Sequence, residues 1–344
     1  MKWGSNRQCH PFRLHRMTTF RFPGEFPMKT KLLAAAALAA LVATPATAQE
    51  QRKQNARDIL GRVLEAVLTP AEQRAQEAEA QAEAEAEANA TVAPPTLEQV
   101  LADARRDDDR ARDRYRNPMQ TLQFFQVEPT HTVVEYAPGG GWYTRVLAPY
   151  IMPRGQYIAV NGDSDARTYP DAEAEQRAKA WGSNFKTTLG ESMGIAPEAV
   201  TAFEIDEVPE EVKGTVDRIL VIRSMHGLWN SDEADSVLGS LREMLADDGM
   251  VGVVQHRAPA GASWSDVNPA QGYMRQSDVI KLYELHGFEL VGTSEINANP
   301  RDPANWGGGV WTLPPVLRYG DRNRARYEAV GESDRMTLLF RKAP

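Results

Sequence analysis

Cysteine is almost lacking from this sequence of 344 residues: the single cysteine is Cys9, close to the amino terminus. The remainder therefore has no disulfide bond, no cysteine nucleophile and no zinc–thiolate site. A chain without thiols also suits an oxidising compartment. Any catalysis has to rest on other side chains.

An excess of basic residues is lacking as well. The chain holds 39 Lys and Arg against 47 Asp and Glu, a formal net charge of −8. Residues 1–48 carry seven of the basic residues and one acid, so the rest is more acidic still. Such a chain repels phosphate backbones. We therefore expect no nucleic-acid partner, although a small and locally basic pocket remains compatible with this charge.

The apolar stretch near the amino terminus is too short to span a membrane. Residues 32–42 supply about half of the roughly 20 residues that such a helix needs. The basic residues 28–31 precede the stretch, and the small residues 46–48 follow it. These are the three parts of a secretory signal peptide. We predict translation from Met28, cleavage after Ala48, and a periplasmic or secreted protein without a stable transmembrane span; the alternative is a retained anchor.

Composition divides the chain into three regions: a leader at 1–48, a helical and linker segment at 49–95, and a folded domain at 96–344. Apolar residues between 51 and 68 recur at steps of one, three and four, which predicts an amphipathic helix. The Ala/Glu-rich run at 71–90 predicts a solvated spacer. We favour docking of the apolar helix face on the protein itself over docking on a partner or a membrane.

Apolar strands alternate with helices through most of the domain. After one or two helices at 97–126, we predict seven strands at 131–135, 156–160, 200–205, 218–222, 250–255, 288–294 and 336–340. Alternation of this kind predicts an α/β fold whose seven-stranded, mostly parallel sheet has helices on both faces. Ligands of such sheets bind beyond the carboxyl ends of the strands.

The turn after the first predicted strand carries the main motif. Glu135 ends the strand, and Gly139, Gly140 and Gly141 precede a helix. Glycines at such a turn let the backbone approach a ligand closely. The dinucleotide pattern G-x-G-x-x-G would need a third glycine where Thr144 stands, which disfavours a nicotinamide cofactor.

The segment resembles motif I of the class I S-adenosylmethionine-dependent methyltransferases, with Ala137 in place of the first glycine. The string E-x-x-P-G-G-G-W-Y-T is similar to that of a family of predicted, often exported bacterial methyltransferases. Further matching segments are Arg223–His226, His256–Ala258, Gly287–Phe288, Asn299–Pro303 and Phe340–Lys342.

This resemblance implies a Rossmann-like fold and S-adenosylmethionine as the cofactor. Glu135 would hold the methionine ammonium, and the three glycines would line the cofactor. Tyr143 would contact the cofactor carboxylate or pack in the core. The family places an acid for the ribose after the second strand, where this chain has Asn161, with Asp163 two residues later. Asp206 is the candidate for the adenine.

Two histidines follow central strands, His226 after the fourth and His256 after the fifth. Histidine titrates near neutral pH, so either could accept a proton from a methyl acceptor; a structural role is the alternative. Their spacing matches no metal motif, and we expect no metal. The long segment 295–333 would form a lid over the acceptor through Trp306 or Trp311, or would pack on its own tryptophans.

The leading hypothesis is therefore methyl transfer to a small-molecule, lipid or envelope acceptor. A non-catalytic ligand-binding protein on the same fold is the alternative, and Asn161 is its signature. The oligomeric state is not predicted by the sequence.

Overall fold

The computed structural model describes residues 54–56, 93–263 and 267–343. The predicted leader, its cleavage site, and most of the predicted amphipathic helix and linker lie outside the described residues. Within these ranges, no helix has the length and apolar character needed to cross a membrane. The domain boundaries drawn from composition stay predictions.

The domain is built on a seven-stranded sheet in the order β3-β2-β1-β4-β5-β7-β6. Its strands are β1 Thr132–Tyr136, β2 Gln156–Asn161, β3 Thr201–Glu204, β4 Val216–Ile222, β5 Leu245–His256, β6 Phe288–Ser294 and β7 Arg335–Lys342. Only β7 runs antiparallel to its neighbours, β5 and β6. The predicted seven-stranded, mostly parallel α/β sheet is confirmed.

Helices cover the sheet on both sides. The α-helices from 132 onward are α5 Thr144–Ile151, α6 Ala172–Lys179, α7 Trp181–Met193, α8 Met225–Asn230, α9 Ala234–Met244, α10 Gln276–Leu285 and α11 Arg324–Val330. On one face Val134 of β1 packs in a core with Leu238 of α9. On the other face Val133 of β1 packs in a second core with Leu147 of α5. Period-two alternation along β1 therefore supplies both cores.

The carboxyl ends of the central strands are level with one another. Tyr136 of β1 is in register with Val160 of β2 and with Val221 of β4. The chain order reverses between β1 and β4, so the loops after these strands diverge at this point. Open α/β sheets bind ligands in the crevice that such a reversal creates.

The helical region before the sheet differs from the prediction of one or two helices at 97–126, which was wrong. It contains α1 Leu97–Ala102, α2 Asp107–Arg110, α3 Asp113–Arg116 and α4 Pro118–Phe124, with a 3-10 turn at Ala104–Arg106. Asp103 has an extended backbone, and Asn117 is left-handed with φ 41° just before Pro118. Proline at a first helical position and a left-handed residue before it both end a preceding helix.

Candidate functional site

The turn after β1 adopts the conformation that its glycines predict. Ala137, Gly139 and Gly141 are left-handed, with φ of 50°, 58° and 71°. Gly139 and Gly140 are exposed, and a Cβ atom placed on Gly140 would meet nothing within 4 Å. The turn therefore presents bare backbone to open space at the carboxyl edge of the sheet, as close approach of a ligand requires.

Glu135 lies beneath this turn and is 2% exposed. Its Oε2 accepts hydrogen bonds from Thr144 Oγ1 and Tyr157 OH, both at 2.7 Å. Burial raises the pKa of Glu135 to about 7, against the opposing effect of these two hydrogen bonds. In the described part of the chain no hydrogen bond reaches Oε1. A cation brought beside this carboxyl would favour its ionised form.

The helix side of the turn is held by Arg145. Its Nη1 donates to the carbonyl of Gly140 at 2.9 Å, and its Nη2 donates to Asp109 at 2.8 Å. A Cβ on Gly141 would lie 3.1 Å from Nη1 of Arg145, so this glycine leaves room for the brace. Tyr143 is 4% exposed and lies in the core, which favours packing over cofactor contact as its role.

Three carboxylates meet at the ends of β2 and β3. Asp163, Glu204 and Asp206 each place an oxygen within 4.8 Å of the other two. Glu204 is in register with Asn161. Its Oε2 accepts from the backbone N–H of Ser164 at 2.7 Å, whereas its buried Oε1 has no hydrogen-bond partner among the described residues. Burial and the two neighbouring carboxylates raise the pKa of Asp206.

The structure thus brings together the predicted Asp163 and Asp206 and adds an acid that sequence reasoning missed. Glu204 is the last residue of β3 and Glu135 the last but one of β1, so an acid at the carboxyl end of an apolar strand was the available signal. Beside the acids, Arg167 pairs with Glu233 at 3.3 Å. A Cβ on Gly162 would lie 2.3 Å from Nη2 of Arg167, so the guanidinium covers that glycine.

The two predicted histidines lie next to each other at the ends of β4 and β5. Their ring centroids are 5.7 Å apart. His226 places Nδ1 3.3 Å from Nε2 of Gln255, and His256 places Nδ1 2.5 Å from Oγ of Ser333. Burial, followed by the nearby Arg223, lowers the pKa of His256 well below its ordinary value. Burial also lowers the pKa of His226.

A lowered pKa favours the neutral form of both imidazoles, the form in which a ring nitrogen accepts a proton. His226 is half-buried, whereas His256 is 9% exposed. Of the two, His226 is better placed to meet a ligand. Trp311 lies beside it, with ring centroids 5.9 Å apart. Trp306 instead donates to Asp302 and is buried in a separate apolar cluster, against which the partly buried Trp311 also packs. The lid over the acceptor stays a prediction.

Sequence reasoning missed a group of charged residues next to the histidines, which we call the arginine cluster: Arg112, Arg116, Arg223, Arg335 and Glu332. Nitrogens of three arginines lie 2.7 Å, 3.3 Å and 3.1 Å from Glu332 carboxylate oxygens. Arg116 and Glu332 are separated by 216 positions in the sequence. Only the fold brings them together, and the one available signal was the match of Arg223 to the family segment after β4.

Two cavities flank the sheet. One of about 460 Å³ lies at the carboxyl edge, beside the start of β7, and is lined by Glu332 and Arg335 among others. The other, of about 620 Å³, lies at the opposite edge near His131 and Arg218. The glycine turn belongs to neither lining.

No protein-family model and no curated protein matches the sequence significantly. Solved structures do match. A SAM-dependent methyltransferase from Aquifex aeolicus is 17% identical, over 59% of this chain and 94% of its own, with a TM-score of 0.40. The 1,6-didemethyltoxoflavin-N1-methyltransferase of Burkholderia thailandensis is 14% identical over 70% and 82%, also at 0.40. The [4+2]-cyclase SpnF is 14% identical over 66% and 80%, at 0.43.

The fold itself is defined by the strand order and by the single antiparallel strand. The resemblance to class I methyltransferases implied a Rossmann-like, seven-stranded, mostly parallel sheet, and the structure adds that β7 lies antiparallel between β5 and β6. That expectation is confirmed.

Proposed function

We propose that residues 96–344 form an S-adenosylmethionine-dependent methyltransferase that acts on a small-molecule, lipid or envelope acceptor. We further propose that the mature protein is periplasmic or secreted and belongs among exported bacterial methyltransferases. The observation that carries the enzymatic proposal is the open glycine turn after β1, at the same edge of the sheet as the Glu135 carboxyl and the unpartnered oxygen of Glu204.

The side chains around the turn fit this cofactor. S-adenosylmethionine carries an ammonium group, two ribose hydroxyls and an adenine amine, all of which donate hydrogen bonds. Glu135, Asp163, Glu204 and Asp206 offer acceptors at the same edge. A buried acceptor without a donor costs free energy, so Glu204 Oε1 gains from a ribose or adenine donor. Asn161, beside Glu204, adds an amide that both donates and accepts.

When bound, the cofactor supplies an electrophilic methyl group on a sulfonium. The chain's main contribution is then alignment of the acceptor, which is worth about 7–11 kcal/mol at best. His226 is half-buried, and its lowered pKa favours the neutral form, which accepts the proton that an acceptor loses on methylation. Trp311 beside it excludes water from an apolar part of the acceptor.

One observation favours the alternative of a ligand-binding protein without catalysis. The Arg167 guanidinium covers Gly162 at the end of β2, where the neutral Asn161 replaces the expected acid. A ribose at that place would have to displace Arg167 from its ion pair with Glu233.

Calorimetry with S-adenosylmethionine, S-adenosylhomocysteine and NAD separates these functions. We expect S-adenosylhomocysteine to bind in the micromolar range and NAD not to bind. Gly140→Leu places a side chain in the space over the turn, where a Cβ atom meets nothing within 4 Å, so it should abolish binding and leave the melting temperature unchanged. Gly239→Leu, on the exposed side of α9 where a Cβ also meets nothing within 4 Å, is the matched control.

Absence of binding by all three ligands would favour the binding-protein alternative and contradict the enzyme. The location is tested separately. Amino-terminal sequencing of the mature protein recovered from outside the cytoplasm should begin at Gln49, and any other terminus would contradict the cleavage prediction.

A further inference from the structure

The arginine cluster contains more positive charge than its own acid can balance. Arg112, Arg116 and Arg335 share the single carboxylate of Glu332, which is 4% exposed. Arg223 adds a fourth guanidinium nearby and helps lower the pKa of Arg116. Like charges held close together in a buried place disfavour each other's charged forms. The cluster therefore carries a surplus of positive charge that an anion would offset.

Arg116 is the most buried unsatisfied member. It is 2% exposed, and its guanidinium lies over the indole of Trp142, with Cζ 4.6 Å from the ring centroid. Its Nε lies 3.3 Å from Glu332, but Nη1 and Nη2 have no hydrogen-bond partner among the described residues. A guanidinium stacked on a ring keeps its N–H donors free in its own plane. There they can form paired hydrogen bonds with two oxygens of an oxyanion.

Arg223 lies where the sheet would present a ligand. It directly follows β4, and its backbone is left-handed with φ 61°, a conformation that is strained for a residue other than glycine. Its side chain is half-buried, and within the described ranges no hydrogen bond or ion pair reaches its guanidinium. It precedes His226 by three residues, and the His226 ring lies 5.7 Å from that of His256, so Arg223 leads directly into the histidine pair. Its charge also acts to lower the pKa of Glu135, His226 and His256.

The cluster is reachable from outside. The cavity of about 460 Å³ at the start of β7 is lined by two cluster members, Glu332 and Arg335. Arg335 is in register with His256 across β5 and β7. The cavity therefore opens on Glu332 and Arg335, and the strand register places His256 beside Arg335.

We propose that Arg223, with Arg116 and Arg335 behind it, binds an oxyanion of the methyl acceptor, a carboxylate or a phosphoryl group. This inference rests on the proposed methyltransferase function for the identity of the ligand as acceptor. Guanidinium forks bind both anions through paired hydrogen bonds. The acceptor is then an acidic molecule, anchored by its charge on the β4–β7 side while the cofactor occupies the β1–β3 side.

Calorimetry on the full chain uses inorganic phosphate and benzoate as probes, each at constant ionic strength with chloride as the reference anion. We expect saturable binding of at least one probe in the absence of cofactor. Arg223→Gln should weaken it by about tenfold to a hundredfold, because a hydrogen bond to a charged group is lost. Arg223→Lys should recover only part of the affinity, since lysine lacks the fork.

Arg341→Gln is the matched control. Arg341 lies near the far end of β7, is exposed, and pairs with Glu289 at 2.9 Å, so its loss should leave probe binding unchanged. Glu332→Gln removes the competing carboxylate and should tighten binding. Melting temperatures of all variants report whether they fold. If Glu332→Gln does not fold, the probe affinities of Arg223→Gln and Arg223→Lys still test the proposed anion site.

Equal probe binding by wild type and Arg223→Gln would overturn the inference, and so would the absence of binding by wild type at millimolar probe. Preference for phosphate over benzoate identifies a phosphorylated acceptor, and the reverse identifies a carboxylic acid. Probe binding without S-adenosylhomocysteine binding would refute the enzyme but keep the anion site. S-adenosylhomocysteine binding without probe binding would support the enzyme and overturn the anion site.

Discussion

The two halves of the sheet's carboxyl edge differ in charge. On the β1–β3 side, Glu135, Asp163, Glu204 and Asp206 surround the glycine turn and offer acceptors. On the β4–β7 side, the arginine cluster offers donors around a single acid. The reversal of strand order between β1 and β4 separates the two. One edge therefore provides opposite electrostatic environments for two ligands, a cationic donor of hydrogen bonds and an anion.

The largest expected effect concerns the residue that joins the halves. Trp142 follows the glycine turn, is 5% exposed, and stacks with Arg116 of the cluster. Trp142→Ala should lower the free energy of unfolding by about 3–5 kcal/mol, because it leaves a cavity and removes a stacking partner. Urea unfolding measures this. A loss below about 1 kcal/mol would mean that the indole does not hold the halves together.

A substitution of Glu204 tests whether the acidic half of the edge binds the cofactor. Glu204→Gln should weaken S-adenosylhomocysteine binding about tenfold, since a charged acceptor is replaced by a neutral one. Calorimetry provides the measurement. Glu198→Gln, an exposed change near the amino end of β3, serves as the control. Equal affinities of both variants would remove Glu204 from the cofactor site.

The pH dependence of stability tests the half of the edge that holds the arginine cluster, through the titration of His256. Its folded pKa is lowered by burial, then by Arg223 and His226, and Arg335 and Arg116 add to the effect. The unfolded chain therefore binds the proton more readily below pH 6.5. Stability present above that value should be lost as pH falls, by up to about 1.4 kcal/mol per pH unit. Urea unfolding of wild type and His256→Gln between about pH 5 and 7 tests this; parallel curves would be the contrary result.

Glu135 gives the smallest expected effect and has the opposite direction of shift, with a folded pKa raised to about 7 by burial. A cationic ligand prefers the ionised carboxylate, which predominates above that pH. Affinity for S-adenosylmethionine should therefore rise about tenfold between about pH 6 and 8. Glu135→Gln should abolish the rise. A rise that persists in this variant would assign the titration to another group.

Local patterns predicted the glycine turn and most of the sheet correctly. Short runs of apolar residues mark β1, β2 and β4 in the sequence. The glycines of the turn come shortly after the first of these runs. The helix α7 was missed because Gly182 and Gly190 weaken its propensity, which tertiary packing of Leu189 and Met193 overrides. The segment 97–126 was predicted as one or two helices because its charged residues carry no visible break, whereas the left-handed Asn117 and the extended Asp103 interrupt it.

The site was predictable only where it is local in sequence. Glu135 and the three glycines lie within seven consecutive residues, and the resemblance to motif I covers all of them. The arginine cluster joins residues from α3, the end of β4 and the start of β7. No sequence window contains these segments together, and the sequence offers no rule for their pairing. Long-range placement of charge was therefore the part that required coordinates.

The reversed direction of β7 has a consequence for biosynthesis. Among the described residues, strand β6 pairs with β7 only, and β7 follows the other six strands of the sheet in the chain. Because β7 runs backwards, its first residue rather than its last reaches the carboxyl edge, and it delivers Arg335 there. A nascent chain that stops before this strand leaves β6 without a partner and the cationic half of the edge unbuilt. Pairing of β6 and completion of the cationic half of the edge thus both depend on β7.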